Sequence, residues 1–296
     1  MTTVLVIGAT GNVGGHVVRE LTERGTRVRA FVRDSGAAER LGDVELAVGD
    51  LDDVVSLRRA LTGVDRVFLA TADGPAKVAQ ECAAVDAAAG AGVELLVKLS
   101  AMHAHPQSPL PAFAWHGAVE AHLHAGGPPA VVLRPAFFMS NLLMIAPGVA
   151  ATDTVFAPTG GAPVAMVDVR DVAAVAAAVL ADPGQAGRAL TVTGPEAVTF
   201  DDVAAAVGRA VGRPIRSVDL TPEQARPRFE GAGLPGWLQE HLAGVFGLIR
   251  DGAFSRATDT VRRITGTEGT TVGAFARDHA AAFQGEARRN DRGPTV

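Results

Sequence analysis

Two stretches of this chain combine residue types and spacings that could do chemistry: the turn Gly8-Ala9-Thr10-Gly11-Asn12-Val13-Gly14 and, much further on, the pair His116 and Glu120. The turn follows an apolar run, Val4 to Ile7, and opens directly into a helical pattern. Such a strand, glycine turn and helix N-terminus cradle a pyrophosphate, because backbone N–H groups approach the ligand and the helix dipole favours negative charge. Glycine triplets are a weak signal by themselves in a chain with 34 glycines; the strand before and the helix after give this one its weight. The residue closing the second strand then separates the dinucleotides. An acid there would hold a ribose 2′-hydroxyl, whereas a nearby arginine suits a 2′-phosphate. Val32 stands at that point, with Arg33 next, so NADP(H) is favoured over NAD(H). Asp34 lies near the nominal spacing for the acid and otherwise reads as a helix cap. Asp50, at the end of the third strand, fits a cap and an adenine amino contact equally well.

His116 and Glu120, at i and i+4, share a helix face. A histidine donates a proton near neutral pH, and a carboxylate one turn along can orient it. The same pair also fits a plain surface contact or two metal ligands. His103, His105, His122 and His124 crowd the same segment, but no third ligand has convincing spacing, so no metal is expected. Cys82 reads as a core residue in an apolar helix. Phe137, Phe138 and Met139 fit either a substrate pocket or packing on the sheet.

The elements that position these residues alternate regularly. Strands are expected at Thr3–Ile7, Arg27–Val32, Val44–Val48, Arg66–Ala70, Glu94–Leu99 and Ala130–Leu133, with helices between them. That pattern is α/β: a Rossmann-like, doubly wound parallel sheet with a smaller C-terminal α/β lobe. Ligands in such sheets lie at the carboxyl ends of the strands, here Gly8–Gly14, Arg33, Asp50-Leu51, Ala70–Asp73, Ser100–His103 and Pro135–Phe138. Residues 1–150 are expected to form the nucleotide-binding core, with a strand and helix at about 164–192 returning to it. Residues 151–283 form the smaller substrate-side lobe, and 284–296 a disordered tail.

Composition narrows the class. The chain has 296 residues, 48% hydrophobic and 20% charged, with a net charge of −5. It is therefore core-forming, with no basic cluster for nucleic acid and no apolar run long enough to span a membrane. A single cysteine and a start without signal-peptide character point to the cytoplasm. The partner is expected to be a small molecule; the pattern assigns no oligomeric state. There is no tyrosine.

Taken together, GATGNVGG, VKLSA, WHGAVEAHL, LRPAFFMSNLL, VDVRDVAAVAAAVL and TGPEAVTFDDVAAAVG resemble the NmrA-like family, an atypical branch of the short-chain dehydrogenase/reductases. The resemblance runs from Thr3 to about Phe283 and its His-x-x-x-Glu helix is similar to the quinone-oxidoreductase-like members. It implies that Gly8, Thr10, Gly11, Asn12, Val13 and Gly14 hold phosphates and Arg33 the 2′-phosphate. Asp50 and Leu51 would flank adenine, Ala70, Thr71 and Ser100 the ribose and nicotinamide, and Pro135 and Phe138 the nicotinamide pocket. The tyrosine–lysine pair of the wider superfamily is absent. The expected function is hydride transfer from NADPH to a small quinone-like, enone or carbonyl acceptor, with His116 supplying the proton and Glu120 behind it. Two other functions fit the same fold: an NADP(H)-sensing regulator without turnover, and a non-redox isomerase or cyclase.

Overall fold

The computed structural model describes residues 2–231 and 233–285. The chain runs β1 (Thr3–Ile7), α1 (Asn12–Glu23), β2 (Arg27–Val32), α2 (Ala38–Leu41), β3 (Glu45–Val48), α3 (Val54–Leu61), β4 (Arg66–Leu69), α4 (Lys77–Gly90), β5 (Leu95–Leu99), α5 (Pro111–Gly126) and β6 (Ala130–Pro135). It continues α6 (Asn141–Thr152), β7 (Thr154–Ala157), α7 (Val169–Ala181), β8 (Ala189–Val192), α8 (Phe200–Val211), β9 (Arg216–Asp219), α9 (Pro222–Gly231), α10 (Gly236–Arg250), α11 (Thr260–Thr265), α12 (Val272–Asp278) and α13 (Ala280–Gln284). The expected tail falls almost wholly outside the described residues.

The chain divides into two compact units: 1–135 with 169–192 and 260–267, and 136–168 with 193–259 and 268–296. The first boundary thus falls at Pro135, earlier than the expected 150, because α6 belongs to the second unit. The second unit contains a two-stranded parallel sheet of β7 and β9 and α8, which starts in a reciprocal capping box between Thr199 and Asp202.

In the first unit seven parallel strands lie in the order β3-β2-β1-β4-β5-β6-β8. Parallel strands covered on both faces read as continuous apolar runs, and β1, TVLVI, is buried throughout. Alternate residues face opposite sides. Leu5, Ile7, Val67, Leu69, Leu96 and Val132 share one core cluster with Leu57 and Leu61 of α3, Ala84, Val85 and Ala88 of α4, and Leu123 of α5. This alternation fixes the site, because Lys98 and Ser100 follow Leu96 at i+2 and i+4 and so face the α4–α5 layer.

Strand order reverses between β1 and β4, which makes their carboxyl ends the switch point. Gly8 follows β1 with φ +83°, and a Cβ on it would lie 1.9 Å from the carbonyl oxygen of Ala70 after β4. Gly25 also has positive φ (+72°) but open space around it. Gly25→Ala should therefore lose only the conformational component, about 1–2 kcal/mol. Gly8→Ala carries strain of about 1–3 kcal/mol and the backbone clash besides. Urea denaturation of the two variants would show Gly8→Ala clearly the less stable; equal midpoints would contradict the close approach.

Candidate active site

The glycine turn has the form a phosphate cradle needs. Gly11 occupies the N-cap of α1 with no side-chain cap, leaving the first-turn amides without a side-chain partner. Its own amide folds back on the Gly8 carbonyl at 2.9 Å, and a Cβ at Gly14 would lie 2.1 Å from that oxygen. Thr10, Gly11 and Asn12 are exposed, whereas Val13 and Gly14 pack inward. A negatively charged diphosphate fits this arrangement, because a helix N-terminus without a carboxylate or hydroxyl cap keeps its donors for a ligand.

Arg33 is exposed immediately after buried Val32. Asp34 turns the chain through its carbonyl, which accepts from Ala37 N at 3.5 Å. Asp50 is exposed and does not cap α3; Asp53 does, accepting from Val55 N at 3.0 Å. Asp50 accepts instead from Asp52 N at 3.0 Å in an Asx turn. Leu51 packs against the core below it. Pro135 closes β6, where its carbonyl accepts from Met102 N at 2.9 Å. Phe138 lies in the second unit, bridged to Val167.

The histidines separate. His122 pairs with Asp86 at 2.6 Å, His124 donates to the Glu120 carbonyl at 2.6 Å, and His105 Nδ1 accepts from Gln107 N at 3.2 Å. Among the described residues no three His, Cys, Asp or Glu side chains stand together as a metal-ligand set. Cys82 is half-buried, less enclosed than expected, and burial pushes its thiol up.

His116 is buried on α5, but Glu120 is not its partner. Glu120 accepts from Ser100 Oγ and takes a two-pronged contact from Arg134. Ser100, expected along the ribose and nicotinamide, holds Glu120. A shared helix face brings i and i+4 together in direction only; the strands opposite decide what each meets. Opposite His116 stands Lys98, whose Nζ is 3.1 Å from His116 Nδ1. The same ammonium reaches Glu81 Oε2 at 2.6 Å and the Leu99 carbonyl at 2.8 Å. Glu81 Oε1 in turn accepts from Lys77 at 2.9 Å and from the Thr71 amide and hydroxyl at 3.1 and 2.8 Å. Thr71, another expected nicotinamide-side residue, is thereby tied into the cluster. Lys77 and His116 Nε2 both lie 3.3 Å from Asp73 Oδ1.

Lys77, Glu81 and Lys98 are charged residues of this cluster that motif reading did not single out, and Asp73 was placed only within the strand-end loop Ala70–Asp73. Their signal lay in charge placed where apolar residues belong: a lysine inside the strand LLVKL and a glutamate inside an alanine-rich helix. Lys98 and Glu81 are both completely buried.

The electrostatics follow from the count of charges. Two ammonium groups and two carboxylates sum to zero, so a proton on His116 would leave a net positive charge out of water. Burial, and then the Lys98 charge, lower the His116 pKa to about 4, although Asp73 opposes this. Burial works against the Asp73 carboxylate, but His116 and Lys77 outweigh it and bring its pKa to about 2. Glu81 is held below its ordinary range in the same way, with burial overcome by Lys98 and Lys77. Burial lowers Lys98.

These shifts set the response to acid. Between pH 6.5 and about 4 an unfolded His116 binds a proton that the folded one does not, so stability falls as pH falls through that window. At 1.36 kcal/mol per pKa unit the loss is on the order of 3 kcal/mol. Asp73 adds its own loss only below pH 3.8, as acid approaches about 2. In His116→Asn the decline between pH 6.5 and 4 should flatten. Denaturation midpoints across that range read it directly; an unchanged slope would place the titration elsewhere.

The model of the NmrA-like family matches residues 1–268. The chain is 38% identical over 282 residues to the NAD(P)H azoreductase of Xenophilus azovorans, covering 95% of this chain and 99% of that one. It is 39% identical over 284 residues to the (4-alkanoyl-5-oxo-2,5-dihydrofuran-3-yl)methyl phosphate reductase of Streptomyces griseus, covering 96% and 100%. The crystal structure of the NADPH-dependent quinone oxidoreductase of Escherichia coli in complex with NADPH superimposes with a TM-score of 0.85 at 25% identity, covering 93% and 99%. The matched sequence and the shared fold span nearly the whole chain, and the chain belongs to the NmrA-like family.

Proposed function

We propose that this protein is an NADPH-dependent oxidoreductase that passes a hydride to a small quinone-like, enone or carbonyl acceptor. The observation that carries the reading is the uncapped N-terminus of α1 beneath the Gly8–Gly14 turn, with Arg33 exposed at the end of β2. The turn amides would hold the diphosphate. The Arg33 guanidinium, a planar fork of donors, suits a 2′-phosphate. Asp50, which is exposed, would accept from the adenine amino group, with Leu51 beside it. The relatives named as reductases and the NADPH-bound quinone oxidoreductase support the same reading.

NADPH, when bound, supplies the hydride; the chain's residues must bind it, orient it and provide a proton. His116 is the proton donor in this proposal, acting through Nε2. Its support is position: it is buried behind Asp73, in the loop after β4, where doubly wound sheets place their ligands. Glu120 acts as a brace between α5, Ser100 and Arg134.

Removal of Arg33 should separate the two dinucleotides. Charge-assisted hydrogen bonds of about 1.5–3 kcal/mol correspond to an NADPH affinity about ten- to a hundredfold weaker in Arg33→Ala, with NADH binding unchanged. Calorimetric titration of both nucleotides tests this, and an equal loss for both would remove Arg33 from 2′-phosphate recognition. Turnover with NADPH and a quinone panel tests the chemistry: His116→Ala should slow it by about 10²-fold or more. Wild-type rates in that variant would exclude His116.

A further inference from the structure

We propose that Lys98 is the proton reservoir for His116: it fixes the imidazole as the Nε2–H tautomer and delivers a proton to Nδ1 as Nε2 gives one up. The inference rests on the reading of His116 as proton donor and goes beyond it by naming the source of the proton.

The tautomer follows from counting donors. An ammonium has three N–H groups and no acceptor. Lys98 Nζ hydrogen-bonds the Leu99 carbonyl at 2.8 Å and His116 Nδ1 at 3.1 Å, and forms an ion pair with Glu81 Oε2 at 2.6 Å. The ammonium can only donate, so Nδ1 accepts and bears no hydrogen, and the proton of the neutral ring sits on Nε2. That nitrogen is directed at Asp73 Oδ1, 3.3 Å away on a side chain that is 42% exposed. The line from Lys98 through the ring to Asp73 thus runs from a fully buried ammonium to the surface.

The same geometry makes an imidazolium donor unworkable at neutral pH. The charged groups facing His116 are Lys98 from β5, Lys77 and Glu81 from α4, and Asp73 from the β4–α4 loop. Glu120 and Arg134 are closed on each other and on Ser100. The four that face the ring already balance. With its pKa near 4, His116 is uncharged where such an enzyme would work. A neutral imidazole can still pass a proton if one enters at Nδ1 as another leaves Nε2, and Lys98 is the group at Nδ1.

The acceptor oxygen, negatively charged after it has received the hydride, takes the place of Asp73 at Nε2. The Nε2–H bond breaks and an O–H bond forms on the reduced acceptor. One Lys98 N–H bond breaks and an Nδ1–H bond forms. His116 stays neutral, and Lys98 becomes an amine. After product leaves, a proton from water enters at Nε2 and the Nδ1 proton returns to Lys98. The step consumes one proton per turnover and needs no further oxidant or reductant. Lys98 touches only His116 in this sequence and is a positioning residue.

The test uses the free protein and the enzyme at work. In ¹⁵N-histidine-labelled wild type without nucleotide at pH 7, His116 should give a protonated, pyrrole-type Nε2 signal and an unprotonated Nδ1 signal. The reverse tautomer, or a charged ring, overturns the proposal. Lys98→Met alone strands Glu81, so the double variant Lys98→Met with Glu81→Gln is used, in which Asp73 and Lys77 still balance. Its His116 signals should show mixed tautomers, and its kcat should fall by about 10²-fold. Its residual kcat should also decline tenfold per pH unit above the His116 pKa, because only the imidazolium can then donate. A wild-type kcat and pH profile in the double variant, with His116→Ala inactive, overturns the reservoir alone. Full activity in His116→Ala overturns the reading beneath it, and the reservoir with it.

Discussion

The charge balance under β5 constrains the rest of this site. Lys77, Glu81 and Lys98 are almost entirely out of water, and Asp73 closes the set at the surface. Each ion pays a desolvation penalty that its partners must offset. The Lys98 ammonium hydrogen-bonds the Leu99 carbonyl and His116 Nδ1, Glu81 Oε1 takes three donors, and Glu81 Oε2 is balanced by its ion pair with Lys98 rather than by a hydrogen bond. Removal of one member would leave an uncompensated buried charge, which costs about 3–5 kcal/mol. The cluster therefore holds together as a unit, and His116 has to be neutral within it.

Its placement follows from the period of the strand. Along β5 and just beyond, Leu96, Lys98 and Ser100 face the same layer of helices. Leu96 sits in the apolar core, Lys98 reaches Glu81 and His116, and Ser100 reaches Glu120. Two residues further along β6, from Val132 to Arg134, the same change occurs, and Arg134 meets Glu120 from the other side. One sheet face thus passes from hydrophobic core to charged network within two steps of the pleat. A network anchored on strands and packed helices is held more rigidly than one on loops.

Much of this fold was legible because apolar runs and glycine punctuation are local signals. The first six strands and the crossover helices lie within a few residues of where periodicity puts them, and the turn from Gly8 to Gly14 announces itself. Other elements carry no such signal. In α6, NLLMIAPGVAAT, apolar residues occur all round and Pro147 and Gly148 interrupt the pattern. Strands β7 and β9 have four residues each, too few to show alternation. Within the site, the i, i+4 spacing of His116 and Glu120 shows a common direction, but the partner of each lies on another strand or loop. Lys98 and Glu81 were visible only as charges in apolar surroundings, a sign that requires knowing which strands and helices are buried.

The missing tyrosine and the depressed histidine belong to one argument. A phenol donates a proton without first acquiring a charge, which a histidine near its ordinary pKa does not. By enclosing His116 among groups that already sum to zero, the fold keeps the ring neutral while leaving a hydrogen on Nε2. The imidazole then has the property that matters in a phenol: a neutral N–H or O–H donor with a cation close behind it. The same neutrality that keeps this donor available at pH 7 is what the folded chain loses when acid forces a proton onto the ring. Acid sensitivity of the fold and the capacity to donate from a neutral ring are therefore two consequences of a single charge count.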